Sequence, residues 1–344
     1  MIRARYKKCV FHFRVASGTS RGMFYKRESW FIRLEDQGRL GTGECAPLQG
    51  LSRDNLSDYE EKIQWLCKNI YKEIDDLYQQ LKDYPSIVFG LEQALLSLEK
   101  NDFILFPSDF TSGVQGIPIN GLIWMGSIDF MQAQLHQKIQ QGFSCIKIKI
   151  GALCFEKEYE FLARVREKYP DIELRLDANG AFSPDEIMQK LERLSAFKIH
   201  SIEQPIRAGQ REIMAQLCRE TPIPIVLDEE LIGGFTYKDK QELFEKIAPH
   251  YFVLKPSLCG GFRAAKEWID IAGKKNISWW ITSALESNIG LNAIAQWTYS
   301  LDNPMPQGLG TGGLYTDNIP APLAVKDQYL WYQPGKLWDL YFFK

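Results

Sequence analysis

The residues best equipped for chemistry are charged side chains that each follow a short apolar run. Lys147 and Lys149 lie in CIKIKIG, Asp177 and Asn179 in LRLDANG, Glu203 in SIEQP, Asp228 and Glu229 in IVLDEE, and Lys255 in FVLKP. Alternate side chains share a face of a strand, so the two lysines point together, away from Ile146, Ile148 and Ile150. Singly, each residue fits an ordinary role: a lysine on a solvated strand, an aspartate capping the next helix, a surface glutamate. Together they recur at one place in successive units. Carboxylates converging there would be costly unless a cation met them. Oxygen donors with no His or Cys favour Mg²⁺ over Zn²⁺. Two ammonium groups beside each other and beside a divalent cation are expected to lower one another's pKa, which makes one of them a usable general base. Lys255 would lie across the metal, and a bound carboxylate substrate would lose its α-proton to give an enediolate.

Such convergence needs a scaffold. Short β-rich runs start near residues 117, 145, 173, 201, 224, 251, 278 and 306, and the gaps hold helical patterns such as FEKEYEFLARVREKYP and SPDEIMQKLERLSAFKI. In the latter, Ser183 and Glu186 have the spacing of a capping box. Strand and helix in alternation imply a parallel sheet with crossover helices, and eight repeats imply an α/β fold of the (β/α)8 TIM-like barrel type over residues 117–313. Side chains at the C-terminal strand ends then face the active site. A dinucleotide fold is disfavoured, because GLGTGG at Gly308–Gly313 comes late and no adequate helix follows it. Residues 1–116 run strands first and helices second, which predicts an N-terminal α+β capping domain. The aromatic-rich segment 314–344 is expected to return and complete that cap.

Composition narrows the partners. The chain of 344 residues has 41 basic and 43 acidic side chains, so no net field draws nucleic acid or an anionic membrane. No apolar run approaches a signal core or a membrane span, which predicts a cytoplasmic protein. Seven cysteines without a C-x-x-C pair read as reduced thiols, and four histidines are too few for a histidine-rich metal site. Composition favours no particular oligomeric state.

The set K-x-K, D-x-N, E-Q-P, D-E and K-P, with the cap phrase GTGECAPLQGLS at Gly41–Ser52 and the helix PSIVFGLEQALLSL, resembles the enolase superfamily, and within it the o-succinylbenzoate synthase branch of menaquinone biosynthesis. The resemblance implies Lys149 as acid/base, Lys147 as its electrostatic neighbour, Lys255 as the opposite cation, and Asp177, Glu203 and Asp228 as Mg²⁺ ligands. It implies a lyase acting on a small-molecule carboxylate: dehydration of 2-succinyl-6-hydroxy-2,4-cyclohexadiene-1-carboxylate to 2-succinylbenzoate. Asn179, Ser283, Gly310 and Ser20 are the expected substrate contacts, with SGTSRG at Ser17–Gly22 as a lid. SWWITSALES lacks the histidine of the mandelate racemase branch. QGLGTGG lacks the acidic D-x-D of the dipeptide epimerases, and its four glycines are expected to leave room for a ring. N-acylamino acid racemase or dipeptide epimerase chemistry stands as the alternative.

Overall fold

The computed structural model describes residues 2–19, 22–54 and 57–340, with the backbone alone for 16–19 and 22. The chain opens with an antiparallel meander of β1 (Arg3–Thr19), β2 (Gly22–Asp36) and β3 (Arg39–Cys45). Helices α1 (Tyr59–Asn69), α2 (Ile74–Leu81) and α3 (Pro85–Lys100) follow. Pro85 sits in the first turn of α3, where its missing N–H costs nothing, and Asn101 ends the helix in the left-handed conformation. Helix α3 lies directly on β3 because glycines line the contact. A Cβ on Gly43 would come within 1.9 Å of the Gly90 carbonyl oxygen, and one on Gly90 within 2.3 Å of Cys45 Sγ. Trp30, Ile32, Leu66, Leu81 and Leu91 fill the core behind this contact.

After β4 (Ile117–Pro118) the chain alternates strand and helix: β5 (Gly121–Ile123), α4 (Ile128–Gln140), β6 (Cys145–Lys149), α5 (Phe155–Lys168), β7 (Glu173–Asp177), α6 (Ile187–Leu194) and β8 (Ser201–Glu203). It continues with α7 (Arg211–Glu220), β9 (Ile225–Leu227), α8 (Tyr237–Ile247), β10 (Tyr251–Leu254), α9 (Pro256–Cys259), α10 (Gly261–Gly273), β11 (Ser278–Ile281) and α11 (Asn288–Ser300). The hairpin β12 (Leu323–Lys326) and β13 (Tyr329–Tyr332) completes the described elements. Strands β5 to β11 form one seven-stranded parallel sheet in sequential order. Its outward residues, among them Ile146, Ile148, Leu174 and Leu176, pack on the helices as the main core. No helix among the described residues is long and apolar enough to cross a membrane.

Three local expectations are corrected. The run at Ile117–Pro118 is not the first barrel strand: it pairs antiparallel with β13, and β5 begins four residues further on. The eighth strand shrinks to bridges at Gln307 with Ile119 and Gly308 with Thr282, since the glycines beyond offer little to pack. Helix α6 starts at Ile187 with no side-chain cap. Ser183 instead closes a turn through its carbonyl, which accepts Glu186 N–H and Ile187 N–H. A full capping box does occur at Thr236 and Asp239, ahead of α8.

The C-terminal segment divides. Leu314–Thr316 runs along β1, with Arg14 N–H to Leu314 O at 2.8 Å, whereas β12 and β13 join β4 in a three-stranded sheet. Two carboxylates carry the cap onto the barrel. Glu44 of β3 is wholly buried and accepts Ser287 N–H and Gly290 N–H at the start of α11, both at 2.9 Å. Glu92 of α3 accepts the N–H groups of Phe262 and Arg263 at the start of α10. Each supplies, from another part of the chain, the acceptor that a helix N-terminus lacks.

Candidate active site

Strand register builds the centre. Lys149 pairs with Asp177 and Asp177 with Glu203, so these side chains stand in one row on the inner face. Lys147 stands one layer deeper, opposite Arg175, whose guanidinium stacks on Trp280 at 4.2 Å and plugs the barrel floor. Asp228 follows β9 and Lys255 follows β10. Asp177, Glu203 and Asp228 are each 1% exposed, so their charges meet almost no water.

The structure brings all six expected residues together. Lys147 Nζ lies 2.8 Å from Asp177 Oδ2 and 2.6 Å from Glu203 Oε2. Lys149 Nζ lies 2.9 Å from Asp177 Oδ2 and 2.7 Å from Asn179 Oδ1, and Lys255 pairs with Asp228. Asn179 has φ 45°, and its Nδ2 donates to Glu229 Oε1 at 3.1 Å. Among the described residues no three His, Cys, Asp or Glu side chains form a ready-made metal cluster, and Lys147 and Lys255 pair with the carboxylates.

The expected depression of the lysine pair is that of a site holding a divalent cation; with the carboxylates alone, Lys147 shifts the other way. Burial works to lower its pKa, but Asp177, Glu203 and Asp228 outweigh burial and hold it above the ordinary lysine value. Lys255 is raised in the same way: burial opposes, and Asp228 with Glu229 prevails. Asp177 is held well below the usual carboxylate range, since Lys147 and Lys149 overcome its burial. Glu203 goes the other way, pushed up to about 8 first by burial and then by the neighbouring Asp177. With one ammonium shared between Asp177 and Glu203, the second carboxylate is short of positive charge. Its Oε1 is buried with no hydrogen-bond partner among the described residues. A buried all-oxygen set with an orphaned carboxylate oxygen fits a hard divalent cation.

Around this centre is a cavity of about 400 Å³, walled by Trp124, Lys147, Lys149, Lys255 and Gly310 on the barrel side and by Phe24, Leu48 and Leu51 from the cap. The Trp124 ring, which the sequence reading overlooked, faces Lys149 Nζ at 5.7 Å. Ser283 lines the cavity, but its hydroxyl donates to Glu286 Oε2 at 2.7 Å and accepts Leu285 N–H at 2.9 Å. What remains on Ser283 is acceptor capacity. The expectation of four roomy glycines narrows: a Cβ on Gly308 would come within 2.2 Å of Thr282 Oγ1 and one on Gly312 within 2.8 Å of Asn288 Oδ1. Gly310 faces space, its nearest neighbour being Ile119 Cδ1 at 3.4 Å. Ser20 lies outside the described residues, as does Arg21 at the tip of the expected lid. The backbone of β1 and β2 pairs up to Thr19 and Gly22.

A capped parallel barrel with lysines and carboxylates crowded at the C-terminal strand ends defines an enzyme class built to handle a proton next to a carboxylate. The family described as Enolase C-terminal domain-like matches residues 131–335, and the one described as MenC, N-terminal domain matches residues 16–98. The chain is 43% identical to the o-succinylbenzoate synthase of Desulfotalea psychrophila over 93% of its own length and 96% of that protein's. It is 28% identical to o-succinylbenzoate synthase of Vibrio cholerae over 86% and 85% of the two chains. The chain belongs to the enolase superfamily, in the family of the o-succinylbenzoate synthases. The crystal structure of MenC from Desulfotalea psychrophila superposes with a TM-score of 0.85 at 40% identity, covering 96% of this chain and 99% of that one. A dipeptide epimerase from Enterococcus faecalis, complexed with Mg and L-Leu-L-Tyr, has the same TM-score of 0.85 at 20% identity over 96% of both chains, and shares the fold.

Proposed function

We propose that the protein dehydrates 2-succinyl-6-hydroxy-2,4-cyclohexadiene-1-carboxylate to 2-succinylbenzoate. The observation that carries the reading is the row Lys149, Asp177 and Glu203, with Lys147 beneath it and Lys255 on Asp228, in a chain 43% identical to an o-succinylbenzoate synthase. Asp177, Glu203 and Asp228 would hold Mg²⁺, and the orphaned Glu203 Oε1 supports that assignment. When bound, the ion supplies positive charge to the substrate carboxylate as electrons move onto it from the α-carbon.

The chain's own residues do the rest. Lys149 as free amine takes the α-proton; the hydroxyl on the neighbouring carbon then leaves with that proton returned, so water departs and the ring becomes aromatic. One base serves both steps because both groups sit on one face of the ring. Lys255, opposite, holds positive charge near the developing enediolate, and Lys147 keeps Asp177 and Glu203 in place. Trp124 and the cap residues Leu48 and Leu51 exclude water from the ring face. Residues 1–116 act as the cap of this site and residues 117–313 as its catalytic barrel. The test is an ultraviolet assay of the purified protein with and without Mg²⁺. Formation of 2-succinylbenzoate that needs the ion is expected, and absence of turnover at any Mg²⁺ concentration overturns the reading.

A further inference from the structure

The cavity does not stop at the charged centre. Its lining also includes Leu122 of β5 and Gly310 and Thr311 of the segment after Gln307. Asn120 N–H still bonds Gln307 O at 3.0 Å, but Gly308 N–H then turns to Ile281 O on the other side. Among the described residues no backbone hydrogen bond joins β5 to residues 308–311. The gap is walled by Asn120, Leu122, Gly310 and Thr311, with Lys138 of α4 at its outer end. A second cavity of about 520 Å³ is also lined by Lys138, together with Gly310 and Gly313.

Polar groups here lack what burial demands. Asn120 and Thr311 are each 6% exposed, and Asn120 Oδ1 and Thr311 Oγ1 have no hydrogen-bond partner among the described residues. One Nδ2–H of Asn120 goes to Gly121 O at 3.2 Å, which leaves the other. Lys138 Nζ meets Gln141 Oε1 at 3.4 Å and the Phe143 ring at 5.0 Å, and forms no ion pair among the described residues. Burial lowers its pKa, the sign of a cation with no anion beside it. Unpartnered buried polar groups are uncommon in a folded chain; the Thr311 hydroxyl and the remaining Asn120 Nδ2–H are donors that an anion can use, whereas Asn120 Oδ1 is an acceptor and is not.

We propose that this gap is the subsite for the substrate's second carboxylate, at the end of its succinyl arm, with Thr311 and Asn120 donating hydrogen bonds and Lys138 supplying charge. The inference rests on the dehydratase reading, which gives the substrate two carboxylates. The first belongs at the reacting carbon. The second cannot lie over Asp177, Glu203 and Asp228, whose charges repel it, whereas Asn120, Leu122, Gly310, Thr311 and Lys138 carry no negative charge. Gly310 lacks the side chain that would close the way in.

The test compares two ligands by calorimetry on the parent protein and on Thr311→Val and Lys138→Met. One is 2-succinylbenzoate and the other 2-butyrylbenzoate, in which a methyl group replaces the arm's carboxylate. The parent is expected to prefer the first. Each variant is expected to bind it about tenfold to a hundredfold more weakly, as loss of a bond to a charged group implies, with the neutral-armed ligand unchanged as the control for folding. A parent without preference, or variants that keep it, overturn the subsite and leave the dehydratase reading standing. A parent that forms no 2-succinylbenzoate in the ultraviolet assay, but loses its preference in the variants, supports the subsite and overturns that reading.

Discussion

At the residue scale, Lys149 and Lys147 differ although two positions apart. Lys149 shares Asp177 with its neighbour and leans on Asn179, at the cavity wall beside Trp124; Lys147 is clasped between Asp177 and Glu203. Lys149→Ala is therefore expected to lower turnover by at least ~10²–10⁴, the range for one acid-base role, while metal affinity is kept. Rates within tenfold of the parent would remove Lys149 from the chemistry. Glu203→Gln should act on the ion instead: the Mg²⁺ concentration for half-maximal rate is expected to rise at least tenfold, read from a metal titration. Chelation followed by added Mg²⁺ should abolish and then restore the parent's turnover. The charged residues were legible because each follows an apolar run at the same point in a repeat. The sign of the Lys147 shift without a cation was not, since it depends on how many carboxylates one ammonium reaches in space. Asn120 and Thr311 gave no signal either: an uncharged polar residue stands out only once its neighbours fail to bond it.

At the scale of elements, spacing placed the sheet well, with β6, β7, β8, β10 and β11 starting where the apolar runs start. It misplaced the ends of the barrel, because the partner of Ile117–Pro118 is more than two hundred residues away in β13 and alternation carries no information on such pairings. The α3–β3 contact makes a sharp demand. Gly43→Ala, whose new Cβ would meet the Gly90 carbonyl, should destabilise the protein by about 1–3 kcal/mol, seen as a lower denaturant midpoint. Glu92 gives a pH dependence. Burial pushes its carboxyl up to about 7 against the opposing bonds from Phe262 and Tyr78. A group with a raised folded pKa contributes stability below its unfolded value and loses it as pH rises through the folded one. Glu92 should therefore cost the parent at most about 3 kcal/mol of stability between pH ~4.5 and ~7, beyond whatever Glu92→Gln loses over the same range. Parallel midpoint-against-pH curves for the two proteins would show that Glu92 does not titrate in this range.

For the whole molecule, selectivity follows from what the strand-eight side of the cavity offers. Gly310 and its neighbours provide no carboxylate for an ammonium, and an unpaired ammonium in a desolvated site is costly. Unblocked dipeptides are expected to epimerise far more slowly than the cyclohexadiene substrate is dehydrated, with N-succinyl amino acids racemised slowly at most. A faster rate on Ala-Glu, followed by polarimetry, would reverse the assignment within the superfamily. Gly310→Phe should raise KM more than it lowers kcat, because its side chain would enter the space that Gly310 leaves open in the cavity.

Glu44 and Glu92 have a further consequence, for inheritance. Each closes a helix of the barrel with an oxygen from the cap, and Phe11, Phe31 and Leu48 of the cap share a core with Leu285 and Ile289 of the barrel. A barrel produced by itself would bare two helix starts and an oily face. A cap grafted from a distant relative would have to place two acids to within a hydrogen bond's length. Recombination between such genes is expected to be penalised at this joint, where a substitution at a cavity-wall position such as Gly310 leaves both acids in place.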